Sequence, residues 1–452
     1  MNESALKPEA GADRTGFPRV LIISVNPVST TSSNGKTYAS IFKGYPKECL
    51  AQLYFRRETL SSDVCDRYFI ISDEDILRRL AGRRGPLGRE AHRGEQAEPA
   101  VATAVRDRLK NSSAARFFRS LVWRSLDIRS RELVRWLNEF APDILFFHGG
   151  DANYLYDKAS KIARETGADI IYYITDDYVL PAFSLNPFFQ LNRLWTRSAF
   201  KRMCRTSCLV ATIGGKMARV YRERYGIESY PMMNMVPVDT REIAAADAGT
   251  KELVFAFAGG LHTRRWKTLG LIAASLERLE KEGLKGRLDV YSRDEPGAKI
   301  LGTINRGDRS RFRGALDEAG VRAVLREADV LVHVESFAGK SRRVTRLSLS
   351  TKIPEYMAMG KCILAFGPKD VASIEYIGET GSGYIIDSTR ERDIDRVLRD
   401  LMLHPGHREA FARQALKTAR ANHDEKIKRA EFHDLLLEWK KKGKTCSKAR
   451  RS

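Results

Sequence analysis

The residues best suited to chemistry in this chain lie in RLSLSTKIPEYMAMGKCILAFGP, residues 346–368. Ser348, Ser350, Thr351 and Lys352 fall just before or within the first turn of a helix that Pro354 and Glu355 suit, because proline is tolerated and a carboxylate favoured near a helix start. Hydroxyls, backbone amides and one ammonium together describe a seat for a diphosphate. A simple capped helix with a solvated lysine has the same composition; the position behind a predicted strand decides for the anion seat. Glu355 would then accept two hydrogen bonds from neighbouring ribose hydroxyls, the bidentate chemistry that a cis-diol invites. The plainer role for Glu355 is to complement the helix start, and Gly360 with the apolar strand after it favours the first reading.

Positioning such a seat requires parallel strands that end at helix starts, where ligands of doubly wound sheets bind. PRVLIISVNPVS contains the apolar run Val20 to Ile23, as expected of a strand buried on both faces. Further strands are predicted in Pro142 to Asp151, Ala168 to Asp177 and Cys208 to Gly215, each followed by a helical pattern. The plan restarts at LVFAFAGGLHTRRWK, with an apolar run Leu253 to Ala258, a turn at Gly259 and Gly260, and an amphipathic stretch from Leu269 to Leu279. RLDVYSRD, ADVLVHVES, KCILAFGP and GYIID continue it. Two α/β domains with doubly wound parallel sheets follow.

The expected layout is a disordered N-terminus at 1–17, a first domain at 18–240, a second at 250–435 and a basic tail at 440–452 without fixed structure. The join is placed near 231–249, and residues 78–118, rich in Arg, Gly and Ala without a sustained period, read as a mobile insertion with short helices. The 452 residues are 43% hydrophobic and 30% charged, a globular balance that confines disorder to segments. Six cysteines lack paired spacing or nearby histidines and are expected to be reduced and structural. No signal peptide, transit peptide or membrane-spanning run is indicated, so a cytoplasmic protein is expected. The net charge of +21 calls for an anionic partner or surface.

The C-terminal half resembles the donor domain of the large retaining glycosyltransferase group with the GT-B fold. The resemblance rests on Gly259, Gly260, Arg265 and Lys267 in GGLHTRRWK, on ADVLV at 328–332 and on PEYMAMGK at 354–361, and it covers most of residues 252–435. It implies two Rossmann-like domains facing a central cleft, a nucleotide-sugar donor as co-substrate with no cofactor, Arg265 and Lys267 clamping the donor diphosphate, and Glu355 on the ribose. That group carries two glutamates with seven residues between them, whereas the first position is Leu347 here. Glu335 is the nearest upstream acid, and the loop from Ser336 to Arg346 is basic, with Arg342, Arg343 and Arg346 either binding phosphate or solvated.

The N-terminal half resembles the acceptor domain more loosely. Asn34, Gly35, Lys36 and Thr37 match its glycine loop, where flexible backbone approaches a ligand. His148 matches a histidine that contacts the transferred sugar in similar enzymes, while a lone histidine is also commonly structural. Asp151, Asp176 and Asp177 are rim candidates. ITDDY suggests a metal, but enzymes of this fold usually manage the leaving diphosphate with cationic side chains, so none is expected.

Residues 186–205 read as a helix on which Arg193, Arg197, Lys201 and Arg205 recur beside Phe188, Leu191, Leu194, Trp195 and Phe200. Such a helix could rest on the anionic inner face of a membrane while a glycan or lipid-linked acceptor is reached; an ordinary helix with a solvated basic face is the alternative. Competing functions are a silent nucleotide-binding relative, a GT-B sugar-nucleotide epimerase, and a nucleic-acid binder. No helix-turn-helix, zinc or RNP-like signature supports the last.

Overall fold

A computed structural model of the chain describes residues 16–29, 33–83, 85–95, 112–179, 184–238 and 252–449. Two compact units divide it, one ending at Met232 and resuming at Ile427, the other running from Met233 to Lys426.

The first unit is an eight-stranded sheet: β1 (Val20–Ser24), β2 (Leu50–Tyr54), β3 (Tyr68–Ile70), β4 (Arg89–Ala91), β5 (Ile144–His148), β6 (Asp169–Ile174), β7 (Leu209–Thr212) and β8 (Tyr230–Pro231), in the order β4-β3-β2-β1-β5-β6-β7-β8. All pairings are parallel except β3 with β4. Every residue of β1 and β5 is buried, which explains the apolar runs 20–23 and 144–147 that precede Ser24 and His148. In-register pairing of β1 with β5 sets Ser24 opposite His148 at the carboxyl edge. Local signals stop and start the helices between them. Ser72 and Asp75 make a reciprocal capping box, Ser130 caps Arg131–Phe140, and Gly167 and Gly226 close helices in the left-handed conformation.

Three expectations change here. The segment predicted as a mobile insertion contains β4, which pairs antiparallel with β3, and the start of the helix Ser113–Ser125; residues 84 and 96–111 lie outside the described part. The helix Glu425–Ala449 carries the backbone of residues 440–449, where a tail without fixed structure is expected, and from Ile427 it belongs to the first unit rather than the second. Burial of Phe432 and Leu436 is the reason: Phe432 meets the rings of Phe42 at 5.9 Å and Phe146 at 6.2 Å, and Trp439 Nε1 donates to Asp169 at 2.9 Å. Each such buried side chain contributes about 1.5–3 kcal/mol, more than a frayed tail recovers. Of the N-terminal 1–17, residues 1–15 lie outside the described part, while the Phe17 ring packs on Tyr45 at 5.1 Å.

The second unit is a six-stranded, all-parallel sheet: β9 (Leu253–Ala258), β10 (Gly286–Tyr291), β11 (Ser310–Gly314), β12 (Val330–Val334), β13 (Cys362–Phe366) and β14 (Tyr384–Ile386), in the order β11-β10-β9-β12-β13-β14. β9, β12 and β13 are central and buried, and their side chains pack with Leu269, Ile272, Leu276, Ile394 and Leu398 of the flanking helices. Helices Arg265–Glu280 and Lys352–Ala358 begin beyond the carboxyl ends of these strands, the edge at which doubly wound sheets receive ligands. The connector at 239–251 lies outside the described residues.

Candidate functional site

The site is built where β9 and β12 end. Ala258 closes β9, and its carbonyl accepts a hydrogen bond from Lys352 Nζ. A Cβ on Gly259 would lie 2.8 Å from Lys352 Nζ and 2.8 Å from the Phe257 ring, so the glycine is what lets the ammonium approach the strand end. Burial, then the neighbouring Arg265 charge, push the Lys352 ammonium down to about 8. An anion arriving beside it would favour its protonated form.

After Gly260 the backbone is strained. Thr263 (φ 58) and Arg264 (φ 64) adopt the left-handed region that β-branched and bulky side chains avoid, at a cost of about 1–3 kcal/mol each. The strain delivers Arg265 as the first residue of its helix. Its Nη2 donates to Glu335 Oε1 at 2.8 Å, and the pair is nearly enclosed, with side chains 18% and 2% exposed. Glu335 follows β12; its amide donates to Phe366 O and its carbonyl accepts from Thr268 Oγ1. His333 Nε2 stands 3.4 Å from the same carboxylate oxygen. Burial opposes ionisation of Glu335, but His333 and the Arg265 guanidinium hold its carboxyl below the usual range, while burial keeps His333 neutral. Arg265 Nε, His333 Nε2 and Glu335 Oε2 are buried without a hydrogen-bond partner. Such atoms are rare in native interiors and mark a place where a polar group can be received.

The helix Lys352–Ala358 completes the set. Thr351 at its N-cap is exposed and its hydroxyl makes no capping bond, and the Ser350 amide donates to Ser373 Oγ at 3.0 Å. Glu355 is exposed in the first turn, and Gly360 (φ 60) ends the helix. Because the helix spans only 7 residues, its backbone dipole is small, and side-chain cations dominate the electrostatics.

Several expected site residues stand elsewhere. Lys267 is exposed, its Nζ 5.5 Å from the Trp266 ring centroid, and it does not join Arg265. Residues two apart on a helix leave it on nearly opposite sides, so Lys267 and Arg265 point apart here. Lys352 takes that place. Leu347 is 1% exposed and part of the core, so the first glutamate position is filled by packing. Arg342 Nε donates to Asp370 at 2.7 Å, and Arg346 lies 3.9 Å from the same carboxylate.

On the first unit, His148 is 4% exposed, with Nδ1 paired to the Tyr38 hydroxyl and Nε2 3.0 Å from Thr175 Oγ1. Both nitrogens are spent within the protein, and burial pushes the imidazole down to about 4, so it stays neutral near pH 7. In this arrangement the imidazole is held inside the first unit by Tyr38 and Thr175. Asn34, Gly35 and Lys36 lie in the first turns of the helix Ser33–Phe42, not in a glycine loop. Asp177 accepts from Val179 N at 3.0 Å, Asp176 from the Tyr178 hydroxyl at 3.1 Å, and exposed Asp151 sits 3.4 Å from Arg116. These contacts hold a loop together and form no convergent site. His333 is the residue that the sequence reading misses; its signal is a lone polar side chain inside the buried run DVLVHV.

No family model matches the sequence, and no curated protein matches it. Solved structures match over nearly the whole chain. Anabaena Alr3699/HepE in complex with UDP and glucose superposes with a TM-score of 0.58 at 13% identity, covering 93% of this chain and 99% of that one. Sucrose-phosphate synthase from Thermosynechococcus elongatus gives 0.59 at 13% identity, covering 93% and 98%. The α,α-trehalose 6-phosphate synthase from Burkholderia multivorans gives 0.58 at 11% identity, again covering 93% and 98%. The chain has the GT-B fold, as the resemblance in its C-terminal half implies.

Proposed function

We propose that this protein is a glycosyltransferase that moves a hexosyl group from a nucleotide-sugar to a lipid-linked or polysaccharide-precursor glycan, with retention at the anomeric carbon and without a metal. The observation that carries this reading is the cation pair Lys352 and Arg265, held at the ends of β9 and β12 in a GT-B fold. A solved structure of the same fold holds UDP and glucose, which supports a uridine nucleotide donor. As the bond from the anomeric carbon to the β-phosphate oxygen breaks, charge builds on the diphosphate. Preorganised cations at that point stabilise the transition state more than the ground state. Glu355 is exposed on the same short helix, which suits a carboxylate that takes the ribose hydroxyls.

The acceptor side of the proposal rests on the helix Pro187–Thr206 and its neighbour Ser113–Ser125. Phe117 stacks on Trp195 at 4.9 Å, and Phe118, Leu121, Leu191 and Leu194 are 43–59% exposed beside Arg116, Arg119 and Lys201. Phe200, expected on that surface, is instead wholly buried in the core. Exposed aromatic and aliphatic side chains on helices that also carry basic residues suit the anionic face of a membrane, where a peripheral enzyme meets lipid-linked substrates. Among the described residues no helix is long and apolar enough to cross one.

A second reading, a silent nucleotide binder, is favoured by the buried Leu347 where a sugar-recognising glutamate is expected. Melting curves with nucleoside diphosphates, nucleotide-sugars and short DNA or RNA separate the cases. At about 100 times Kd a nucleoside diphosphate should add ~2.7 kcal/mol of apparent stability, with slow hydrolysis of the matching donor. Stabilisation by oligonucleotides alone would discard the proposal. Donor binding without any turnover would select the silent binder, and conversion of free sugar-nucleotide without an acceptor would select an epimerase.

A further inference from the structure

Asp400, His404 and His407 meet where the helix Glu391–Leu403 hands over to the helix Pro405–Asn422. His404 Nδ1 lies 2.9 Å from Asp400 Oδ1, and His407 Nδ1 lies 3.3 Å from Asp400 Oδ2. One donor atom from each residue falls within 4.8 Å of the other two, the one such group of three among the described residues. The two imidazoles stack at 4.9 Å with 24° between their planes, so both present Nδ1 to one carboxylate. The Tyr384 hydroxyl donates to Asp400 Oδ2 at 2.6 Å, an outer partner of the kind that orients a ligating carboxylate. His404 Nδ1 also stands 3.0 Å from the Asp400 carbonyl.

We propose that Asp400, His404 and His407 form a binding site for a divalent transition cation such as zinc. Two imidazole nitrogens and one carboxylate select borderline ions over the oxygen-seeking magnesium and calcium. Three protein ligands leave a fourth position to water, which reaches these side chains because the histidines are 51% and 59% exposed. The ion takes both Nδ1 lone pairs and one Asp400 oxygen, so any Nδ1 proton leaves on binding. It adds a tie between two helices already joined at Pro405 and by Arg408 Nη1, which donates to the Leu401 carbonyl at 2.7 Å.

This site is separate from the nucleotide seat. The helix Glu391–Leu403 leaves the carboxyl end of β14 and runs back along the sheet, and a Cβ on Gly286, which opens β10 opposite Leu253, would lie 2.5 Å from Met402 Cε, so the end of that helix stands at the amino edge of the sheet. Ala258 and Glu335 lie at the carboxyl edge. The expectation that no metal assists the leaving diphosphate concerns the other end, and the two proposals stand or fall independently.

The test uses the full-length protein, stripped with a chelator and titrated with zinc chloride in two buffers of different protonation enthalpy. One zinc per chain is expected, with heat that depends on the buffer, a higher melting temperature, and no response to magnesium. His404→Ala and His407→Ala should each weaken zinc binding by at least ~10-fold, and nucleoside diphosphate affinity should not change in either. Absence of zinc binding in the unaltered protein, or zinc affinity in both variants unchanged from the unaltered protein, overturns the assignment.

Discussion

Lys352→Ala is expected to weaken nucleoside diphosphate binding by about 10- to 100-fold while leaving the unfolding midpoint unchanged or slightly raised. A hydrogen bond from an ammonium to a phosphate oxygen is worth roughly 1.5–3 kcal/mol, which converts to that range. Stability should not suffer, because the Lys352 amine is largely enclosed and stands beside Arg265, so the folded state bears a desolvation and repulsion cost that alanine removes. Lys352→Met, which keeps the apolar stem over Phe257, should lose affinity equally. Isothermal titration on both variants reads the effect; an unchanged Kd in both would take Lys352 out of the binding site.

Glu335→Ala is expected to destabilise the protein by about 3 kcal/mol, the low end for breaking a buried ion pair from one side. The low end applies because the Arg265 side chain is 18% exposed and keeps some solvation. Arg265→Ala should be comparably destabilising, since it strands a carboxylate that is 2% exposed. Arg265 is therefore not a position that can be emptied without touching the fold, whereas the family resemblance implies only a clamp on the donor diphosphate. Replacing both residues by leucine should recover much of the loss, because two apolar groups of similar volume leave no orphaned charge. Urea unfolding of Glu335→Leu, Arg265→Leu and the double leucine variant closes the cycle. Additive losses would mean that the two side chains do not act as a pair.

The strands legible in the sequence are those whose environment leaves one choice of residue. β1, β5, β9, β12 and β13 are covered on both faces, so apolar residues fill them apart from Ser24, His148 and His333, and the run is visible. β11, SRFRG, alternates in burial at the sheet edge, and β3 and β4 are three residues each, too short to show a period. The Lys352 turn was legible because helix-start chemistry is local. The Arg265 pairing was not: its partner is 70 residues away, and only the adjacency of β9 and β12 brings Glu335 to it. His148 shows the reverse failure. Its place at a strand end matches a functional position, yet Tyr38 and Thr175 occupy both nitrogens, and no local pattern reports that. The return of residues from Ile427 to the first unit is likewise a matter of which core accepts Phe432 and Leu436, and an amphipathic helix does not name its partner.

A nucleoside diphosphate seated by the segment after β9 and the start of the helix Lys352–Ala358 should order both stretches of backbone. Backbone hydrogen exchange with and without saturating nucleoside diphosphate tests it most directly, because protection reports where the ligand orders the chain. Protection is expected in peptides covering 258–268 and 348–358, with that pattern lost in Lys352→Ala at the same ligand concentration. Protection that spares both segments while binding is saturated would contradict the account.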